Sequence, residues 1–215
     1  MTPQIFGRKT SSNVQVVMWG AAELGLAVER LDFGGVFGGT DTPAFRRMNP
    51  MGRVPVLKDA DVTMFESQAI LRYLAAKAVP TPLWPNAAIA RAPVDQWMEW
   101  SKGTLFPAFN YKVFWQLVRT SATERDHTAV AAGIAEVKHL MQIASDQIAR
   151  QGWLAGPQMS LADITFGTGL YRYFTLDIDR ADLPDLASYY DRLTARAAYA
   201  EHVMVPYDAL RHPDA

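Results

Sequence analysis

The sequence predicts a small α+β domain with a mixed four-stranded sheet, followed by an all-α domain. Short apolar runs alternate with helical patterns over the first third of the chain. Several prolines then fall close together near residue 80, and beyond them apolar residues recur only at helical spacing. Alternating strands and helices are typical of a sheet packed against helices, whereas uninterrupted helical spacing is typical of a helical bundle.

The chain opens with a β-α-β pattern. Residues 5–6 are a short apolar strand candidate, and residues 10–13 are of the types that favour turns and helix N-caps. Apolar residues recur at helical spacing over residues 14–22, and Gly25 then ends the helix. We predict a second strand over residues 27–33.

A glycine-rich loop and a short helix come next. Residues 34–42 lack the Gly-Lys-Ser/Thr end of a phosphate-binding loop, and no strong apolar helix follows them. A mobile surface loop is therefore the favoured interpretation. Thr42 and Pro43 predict the N-cap and first residue of a short helix that ends near Arg47.

A hairpin and a helix complete the first domain. Residues 54–57 and 62–65 are strand candidates, with residues 58–61 as their turn. A helix begins at Glu66-Ser67, because the apolar residues that follow share one helical face. The full order is β-α-β, loop and short helix, β-β-α.

Prolines mark the end of this domain. Three prolines fall within residues 80–85, and proline neither continues a helix nor leaves a linker flexible. We therefore predict a first domain over residues 1–80, a linker over residues 81–87 and a helical domain over residues 88–215.

Five helices are predicted in the second domain. Ser160 and Asp163 have the spacing of a capping box, in which a serine and an acid satisfy free N–H groups at a helix start. This pair is expected to act in folding rather than in catalysis. The predicted helices cover about residues 88–118, 122–150, 160–176, 184–196 and 197–204.

Composition excludes several classes of partner. Apolar residues make up 49% of the chain, charged residues 20%, and the net charge is −1, as in ordinary globular proteins. The basic excess that binds nucleic acid is missing, and no stretch approaches the ~20 apolar residues of a membrane span. The N-terminal residues also lack a signal-peptide pattern, so a cytoplasmic protein is expected.

Metal and cysteine chemistry are not expected either. The chain has no cysteine, which excludes disulfides, thiolate metal ligands and a cysteine nucleophile. Its four histidines are scattered and have no partner at metal-ligand spacing.

Two segments resemble motifs of the glutathione transferase family. Residues 49–57 are Asn-Pro-Met-Gly-Arg-Val-Pro-Val-Leu, which resembles the family's Asn-Pro-x-Gly-x-Val-Pro-x-Leu. Residues 65–74 contain Glu-Ser-Gln-Ala-Ile, which resembles its Glu-Ser-x-Ala-Ile, and residues 160–163 resemble its capping motif. The resemblance spans about residues 4–205 and is diffuse between residues 88 and 150.

The resemblance implies a fold and an activity. The fold is that of the cytosolic glutathione transferases, with a thioredoxin-like first domain that binds glutathione and a helical domain that contributes to the second site. The activity is conjugation of glutathione to a small hydrophobic electrophile, with glutathione as co-substrate and without a further cofactor. The family is usually dimeric, so a homodimer with a role in detoxification is expected.

Ser11 and Asn13 are the candidate catalytic residues. A helix N-terminus favours a nearby anion, and a hydroxyl there can donate to the thiolate of glutathione. Ser11, Gln15 and Val17 resemble the Ser-x-x-x-(Arg/Gln)-x-Val pattern of serine-type members, and Asn13 occupies the asparagine position of a related Thr-x-Asn group. Ser12 is expected to cap the helix. Which of Ser11 and Asn13 holds the sulfur stays open.

Other residues are candidates for binding glutathione. The family resemblance implies a cis Val54-Pro55 bond, with the Val54 backbone pairing with the cysteinyl unit like an added strand. Arg53 can reach a carboxylate, although a solvated arginine is as good an interpretation. Ser67 suits the γ-glutamyl carboxylate at a helix N-terminus, and Glu66 suits its ammonium group.

The second substrate site is predicted from aromatic residues. Tyr111, Phe114 and Trp115 crowd one predicted helix, and the family places an apolar pocket beside it. Aromatic residues at helical spacing are more often core or dimer contacts, so these three are a weaker prediction. Two alternatives to conjugation also remain: a glutathione-dependent peroxidase or disulfide reductase, and a non-catalytic binding protein with this fold.

Overall fold

The computed structural model describes residues 2–214 of the chain. Its first domain contains a four-stranded sheet with strand order β2-β1-β3-β4. Strands β1 and β2 are parallel, and the other two pairs are antiparallel. The predicted mixed sheet is therefore confirmed, with its strands at β1 (Gln4–Phe6), β2 (Glu29–Leu31), β3 (Val56–Asp59) and β4 (Val62–Phe65).

Three helices accompany this sheet: α1 (Ser12–Glu23), α2 (Pro43–Met48) and α3 (Ser67–Lys77). Helices α1 and α3 pack together against the sheet, because each carries a row of apolar residues that is withdrawn from water. Thr42 caps α2 as predicted, since its hydroxyl accepts the N–H of Phe45 at 3.2 Å. The shared core consists of Ile5, Val14, Val17, Ala21, Leu57, Ile70 and Leu74.

Three strands differ in their bounds from the sequence prediction: β1 begins one residue earlier, β3 covers Val56–Asp59 rather than residues 54–57, and β2 is shorter. Strand β2 covers three residues rather than 27–33, because its partner β1 offers only three residues for pairing. The hairpin turn is also tighter than predicted. Asp59 pairs with Val62, so the turn holds only Ala60 and Asp61, and Ala60 adopts a left-handed φ of 49°.

A long, nearly continuous helical stretch opens the second domain. Two π-helical turns, Ser101–Leu105 and Asn110–Phe114, interrupt its α-helical hydrogen bonding. The predicted helix over about residues 88–118 is thus present, but as three α-helical pieces joined by wider turns. These pieces are α4 (Ala88–Trp100), α5 (Phe106–Phe109) and α6 (Trp115–Arg119).

Four more helices follow and match the predicted number. Helix α7 begins later than predicted because Asp126 caps it, its carboxylate accepting the N–H of Ala129 at 2.9 Å. None of the helices within residues 2–214 is long and apolar enough to cross a membrane. The remaining helices are α7 (His127–Gln151), α8 (Leu161–Thr175), α9 (Pro184–Thr194) and α10 (Ala197–His202).

No helix or strand occupies residues 78–87, the segment between α3 and α4. This segment contains the predicted linker of residues 81–87. The outer ends of the two predicted domains, residues 1 and 215, lie outside the described part of the chain.

The capping box of α8 is confirmed. The Ser160 hydroxyl accepts the N–H of Ala162, and Asp163 accepts the N–H of Ser160 at 2.8 Å. Asp163 is fully buried and also accepts the N–H of Leu154 and the hydroxyl of Tyr189, both at 2.9 Å. All of these hydrogen-bond partners of Asp163 lie in the second domain, which agrees with the role in folding expected for it.

Helix α8 packs against α1 and thereby fixes the position of the first domain on the second. A Cβ at Gly167 would lie 2.7 Å from Leu193 and 3.0 Å from the Trp19 ring, so glycine permits this close approach of α8 to α1. At the far end of α1, Arg196 donates to Glu23 at 2.7 Å. At the near end, Arg172 of α8 donates to the carbonyl of Thr10 at 2.7 Å. The start of α1 is therefore held by both domains.

Candidate active site

A cleft of about 370 Å³ lies between the first domain and the stretch α4–α6. It receives residues from the start of α1, the glycine-rich loop, the segment before β3, the long helix and α8. The predicted residues Ser11, Asn13, Arg53 and Val54 all line it. Its other polar lining residues are Arg8, Thr10, Ser12, Thr40, Lys102, Asn110, Arg119 and Arg172.

The hydroxyl of Ser11 is free at the start of α1. Ser11 is the N-cap residue, and its backbone carbonyl accepts the N–H groups of Val14 and Gln15, both at 2.9 Å. Its side chain makes no capping bond. Ser12 is the first helical residue, so the capping position that sequence analysis assigned to Ser12 belongs to Ser11. The Ser11 hydroxyl is left available to a ligand in the cleft.

The start of α3 lies beside the start of α1. Ser67 is 1% exposed, and its hydroxyl lies 3.4 Å from Oδ1 of Asn13. Glu66 precedes it with a left-handed φ of 72°, a conformation that costs a residue other than glycine about 1–3 kcal/mol. Such strain concentrates at functional sites. Glu66 itself is exposed and neither Glu66 nor Ser67 belongs to the cleft wall, so they flank the cleft through Asn13.

Lys102 joins this group from the second domain. Its Nζ lies 2.6 Å from Oδ1 of Asn13. Burial lowers the pKa of Lys102, and the negative charges of Glu66 and Glu99 act against that effect. Because an ammonium group can only donate, the amide oxygen of Asn13 must face Lys102, which leaves the Asn13 NH₂ for other partners. Lys102 was not predicted from the sequence, since a single lysine within a helix carries no signal of its own.

The Val54–Pro55 peptide bond is cis, as the family motif implies. Val54 lines the cleft, and within residues 2–214 no backbone hydrogen bond engages its N–H or C=O. Pro55 is buried behind it, whereas Arg53 is exposed at the cleft edge. Asn49 holds this segment in place by donating to the Arg53 carbonyl at 2.7 Å.

Two of the three predicted aromatic residues line the cleft. Tyr111 and Trp115 are 50% and 38% exposed, and their rings meet edge to face with centroids 4.6 Å apart. Phe114 does not line the cleft, which corrects the sequence prediction for this residue. It is fully buried beneath the guanidinium of Arg172, which lies 4.5 Å from the centre of its ring. Successive residues of a helix point about 100° apart, so Phe114 faces the core while its neighbour Trp115 faces the cleft.

Three arginines form a cationic wall of the cleft: Arg8, Arg119 and Arg172. Arg172 is only 5% exposed. Burial, together with the charges of Arg119 and Arg8, lowers its pKa to about 10. Burial lowers the pKa of Arg8, and burial and the charge of Arg8 lower that of Arg119. All three remain protonated at neutral pH.

The glycine-rich loop covers one of these arginines. A Cβ at Gly35 would lie 3.1 Å from Cδ of Arg8, and Gly35 has a left-handed φ of 60°. The loop is therefore a structured part of the cleft wall, with a 3₁₀ turn at Gly35–Phe37, rather than only the surface loop expected from its composition. The cationic wall was not predicted from the sequence, since its three arginines are far apart in the chain.

No group of three His, Asp or Glu side chains suited to a metal ion occurs within residues 2–214. The cleft thus combines a free hydroxyl, a free backbone edge, the start of α1 and an excess of positive charge, and the start of α3 lies beside it. Such a site can hold a peptide-like ligand with carboxylates and can stabilise a thiolate beside Ser11.

Known proteins resemble this chain in both sequence and fold. The chain matches the family models described as the N-terminal domain of glutathione S-transferase over residues 1–76 and the C-terminal domain over residues 95–197. It is 34% identical over 204 residues to glutathione S-transferase GstB of Escherichia coli strain K12, covering 94% of this chain and 98% of that one. It is also 36% identical over 133 residues to human glutathione S-transferase theta-1, covering 59% and 55% of the two chains.

A solved structure is similar over almost the same extent. It is the theta class glutathione S-transferase of Xanthomonas axonopodis pv. citri with glutathione bound. The two chains superpose with a TM-score of 0.90 at 41% sequence identity, covering 95% of this chain and 98% of the other. The similarity includes both the sheet domain and the helical domain.

Proposed function

The chain belongs to the glutathione S-transferase family. From this premise we propose that it is a glutathione transferase in which the Ser11 hydroxyl donates a hydrogen bond to the thiolate of glutathione. The observation that carries the proposal is the unused hydroxyl of Ser11 at the N-terminus of α1. It stands in a cleft that also offers the backbone of Val54 and lies beside the start of α3.

Glutathione fits this cleft along its length. The free N–H and C=O of Val54 pair with the cysteinyl unit in the manner of an added strand. Ser67 and the N-terminal amides of α3 receive the γ-glutamyl carboxylate, while Glu66 pairs with the ammonium group. Arg53, exposed at the cleft edge, suits the glycine carboxylate.

Ser11 makes the bound thiol reactive. A free thiol has a pKa near 8.5, and its thiolate is the nucleophile. Lowering that pKa by about 2 requires about 2.7 kcal/mol of preferential stabilisation of the thiolate. One hydroxyl hydrogen bond to the charged sulfur supplies about 1.5–3 kcal/mol, and the positive end of α1 adds to it.

Asn13 is the second candidate for holding the sulfur. Its amide oxygen is engaged by Lys102 and Ser67, so its NH₂ can donate into the cleft that Asn13 lines. In this proposal Ser11 is the main donor, and Asn13 orients the sulfur or the adjacent cysteinyl unit.

The thiolate attacks an electrophile whose apolar body contacts Tyr111 and Trp115. The second substrate gains a carbon–sulfur bond and loses its leaving group, or adds the thiol across a double bond. Glutathione is the co-substrate of this reaction. The proposal includes a homodimer acting in the cytoplasm in detoxification, as the family resemblance implies.

The Ser11→Ala variant tests the proposed function. We expect the protein to conjugate glutathione to 1-chloro-2,4-dinitrobenzene, and we expect the variant to lose at least about tenfold in kcat, because a charge-assisted hydrogen bond exceeds about 1.4 kcal/mol. Glutathione binding, measured by calorimetry, should persist in the variant. The Ser188→Ala variant, which removes an exposed hydroxyl from α9, serves as the matched control.

An unchanged rate in Ser11→Ala would reject Ser11 as the hydrogen-bond donor to the thiolate. Loss of the rate in Asn13→Ala alone would then assign the sulfur to Asn13. Failure of the unmodified protein to bind glutathione would reject the proposed function as a whole and favour a non-catalytic protein with this fold.

A further inference from the structure

The cationic wall defined by Arg8, Arg119 and Arg172 has no counter-charge. Within the described residues none of the three forms a salt bridge, and the cleft lining contains no aspartate or glutamate. Arg172 donates only to the Thr10 carbonyl, and Nε of Arg8 is buried without any hydrogen-bond partner. Buried polar groups in folded proteins are nearly always paired, so this exception needs an explanation.

Holding three like charges together is unfavourable. Each guanidinium is partly removed from water, and the charges of Arg8 and Arg119 reach Arg172 strongly enough to oppose its protonation. A bound anion would reverse this effect, because it would accept from the free N–H groups and neutralise the excess charge. Clefts lined by one sign of charge also concentrate ligands of the opposite sign.

The wall lies next to the place proposed for the sulfur. Arg172 donates to the carbonyl of Thr10, the residue before Ser11, and Arg8 precedes Ser11 by three positions. Arg119 lies over the ring of Trp115, with its guanidinium carbon 5.0 Å from the ring centre. An anion held by these arginines would therefore sit between the reacting sulfur and the exposed aromatic rings.

Glutathione does not account for this anion. In the proposed mode its γ-glutamyl carboxylate lies at Ser67 and its glycine carboxylate at Arg53, so both are already engaged. The arginines remain for the second substrate, and two of the three sit on α6 and α8, in the helical domain.

We propose that the second substrate is an organic acid, an electrophile that carries a carboxylate which Arg8, Arg119 and Arg172 bind. This inference rests on the proposed transferase function and replaces the purely hydrophobic electrophile expected from the sequence. The carboxylate is held by the guanidinium groups, and the carbon skeleton rests against Tyr111 and Trp115. Specificity then comes from charge more than from apolar shape, because an unpaired guanidinium discriminates strongly between an acid and a neutral analogue.

The test uses a matched pair of aryl chlorides, 4-chloro-3,5-dinitrobenzoate and its neutral carboxamide. In both reactions the glutathione sulfur forms a bond to the ring carbon, the carbon–chlorine bond breaks, and chloride leaves with the bonding pair. The thiol proton goes to solvent. Each kcat/KM is divided by the uncatalysed rate constant of the same compound, which removes their difference in intrinsic reactivity.

We expect the protein to prefer the benzoate by about tenfold or more, the effect of one charge-assisted hydrogen bond. Arg119→Gln and Arg8→Gln should each lower kcat/KM for the benzoate far more than for the carboxamide, mainly through KM. Arg119→Lys should retain part of the preference. Arg150→Gln, which removes an exposed guanidinium from α7, is the matched control and should keep the full preference.

Four results would overturn the proposal. Equal turnover of the benzoate and of the carboxamide or 1-chloro-2,4-dinitrobenzene would leave the transferase function standing and reject the anionic substrate. Equal losses for both compounds in the arginine variants would mean that the wall stabilises the thiolate instead. A raised KM for glutathione in those variants would assign the arginines to glutathione. Absence of turnover with all three compounds would reject the proposed function itself.

Discussion

Ser160 and Ser11 both occupy the N-cap position of a helix, but their hydroxyls have different surroundings. The Ser160 hydroxyl accepts the N–H of Ala162 at 3.3 Å and donates to Asp163 at 3.0 Å, and the residue is buried. The Ser11 hydroxyl makes no capping bond and opens into the cleft. The same residue type at the same helical position is thus engaged in one case and free in the other.

This difference distinguishes a serine that stabilises its own helix from a serine that is available to a ligand. A serine that satisfies the free N–H groups of its own helix stabilises the fold by about 0.5–2 kcal/mol and has nothing left for a ligand. A serine that leaves those groups unsatisfied gives up that stabilisation, and the amides and the hydroxyl together form an anion site. Ser160 should therefore matter for stability, and Ser11 for activity.

The largest effect on stability is expected for Asp163→Ala. It removes the acceptor of two buried N–H groups, each costing about 1–3 kcal/mol when unpaired, so we expect a loss of about 3–5 kcal/mol in the free energy of unfolding. Urea unfolding followed by circular dichroism measures it. Asp191→Ala, which removes an exposed carboxylate from α9, is the control. A loss below about 1 kcal/mol would show that this network contributes little.

An intermediate effect is expected for Ser160→Ala, with a loss of about 1–2 kcal/mol in the same measurement because the cap of α8 disappears. The double variant with Asp163→Ala should lose less than the sum of the two single losses, since the two side chains act on the same helix end. Strict additivity would contradict the reciprocal capping box.

The smallest effect on stability is expected for Ser11→Ala. Because its hydroxyl makes no capping bond within residues 2–214, the free energy of unfolding should change by less than about 0.5 kcal/mol without glutathione. The same variant should have the reduced kcat described above, which separates the two serines completely. A loss near 1 kcal/mol would instead mean that Ser11 caps α1 in solution.

Much of the fold follows from local patterns. The β-α-β start, the hairpin and the capping box were predictable because hydrophobic period, turn residues and caps act over a few neighbouring residues. The predicted bounds were wrong where a paired strand or a capping residue sets the end of an element. Strand β2 is only as long as its partner β1, and α7 begins at the cap provided by Asp126.

The site divides in a similar way. The half that binds glutathione in our proposal contains short motifs, so Val54-Pro55 and Glu66-Ser67 could be identified from neighbouring residues. The other half has no motif. Lys102 reaches Asn13 across 89 positions, and Arg172 reaches Thr10 across 162. Phe114 and Trp115, adjacent in sequence, are 0% and 38% exposed, and only the packing of the helix decides which of them faces the core.

The sequence by itself determined the family, the order of the elements and the segments that bind glutathione in our proposal, because each depends on contacts between near neighbours or on a motif of a few residues. Only the tertiary structure decided that the Ser11 hydroxyl is free, that Asn13 is oriented by Lys102, and that three arginines face one cleft. Charges act through space, and their sum at a point depends on how helices pack, which no local pattern records.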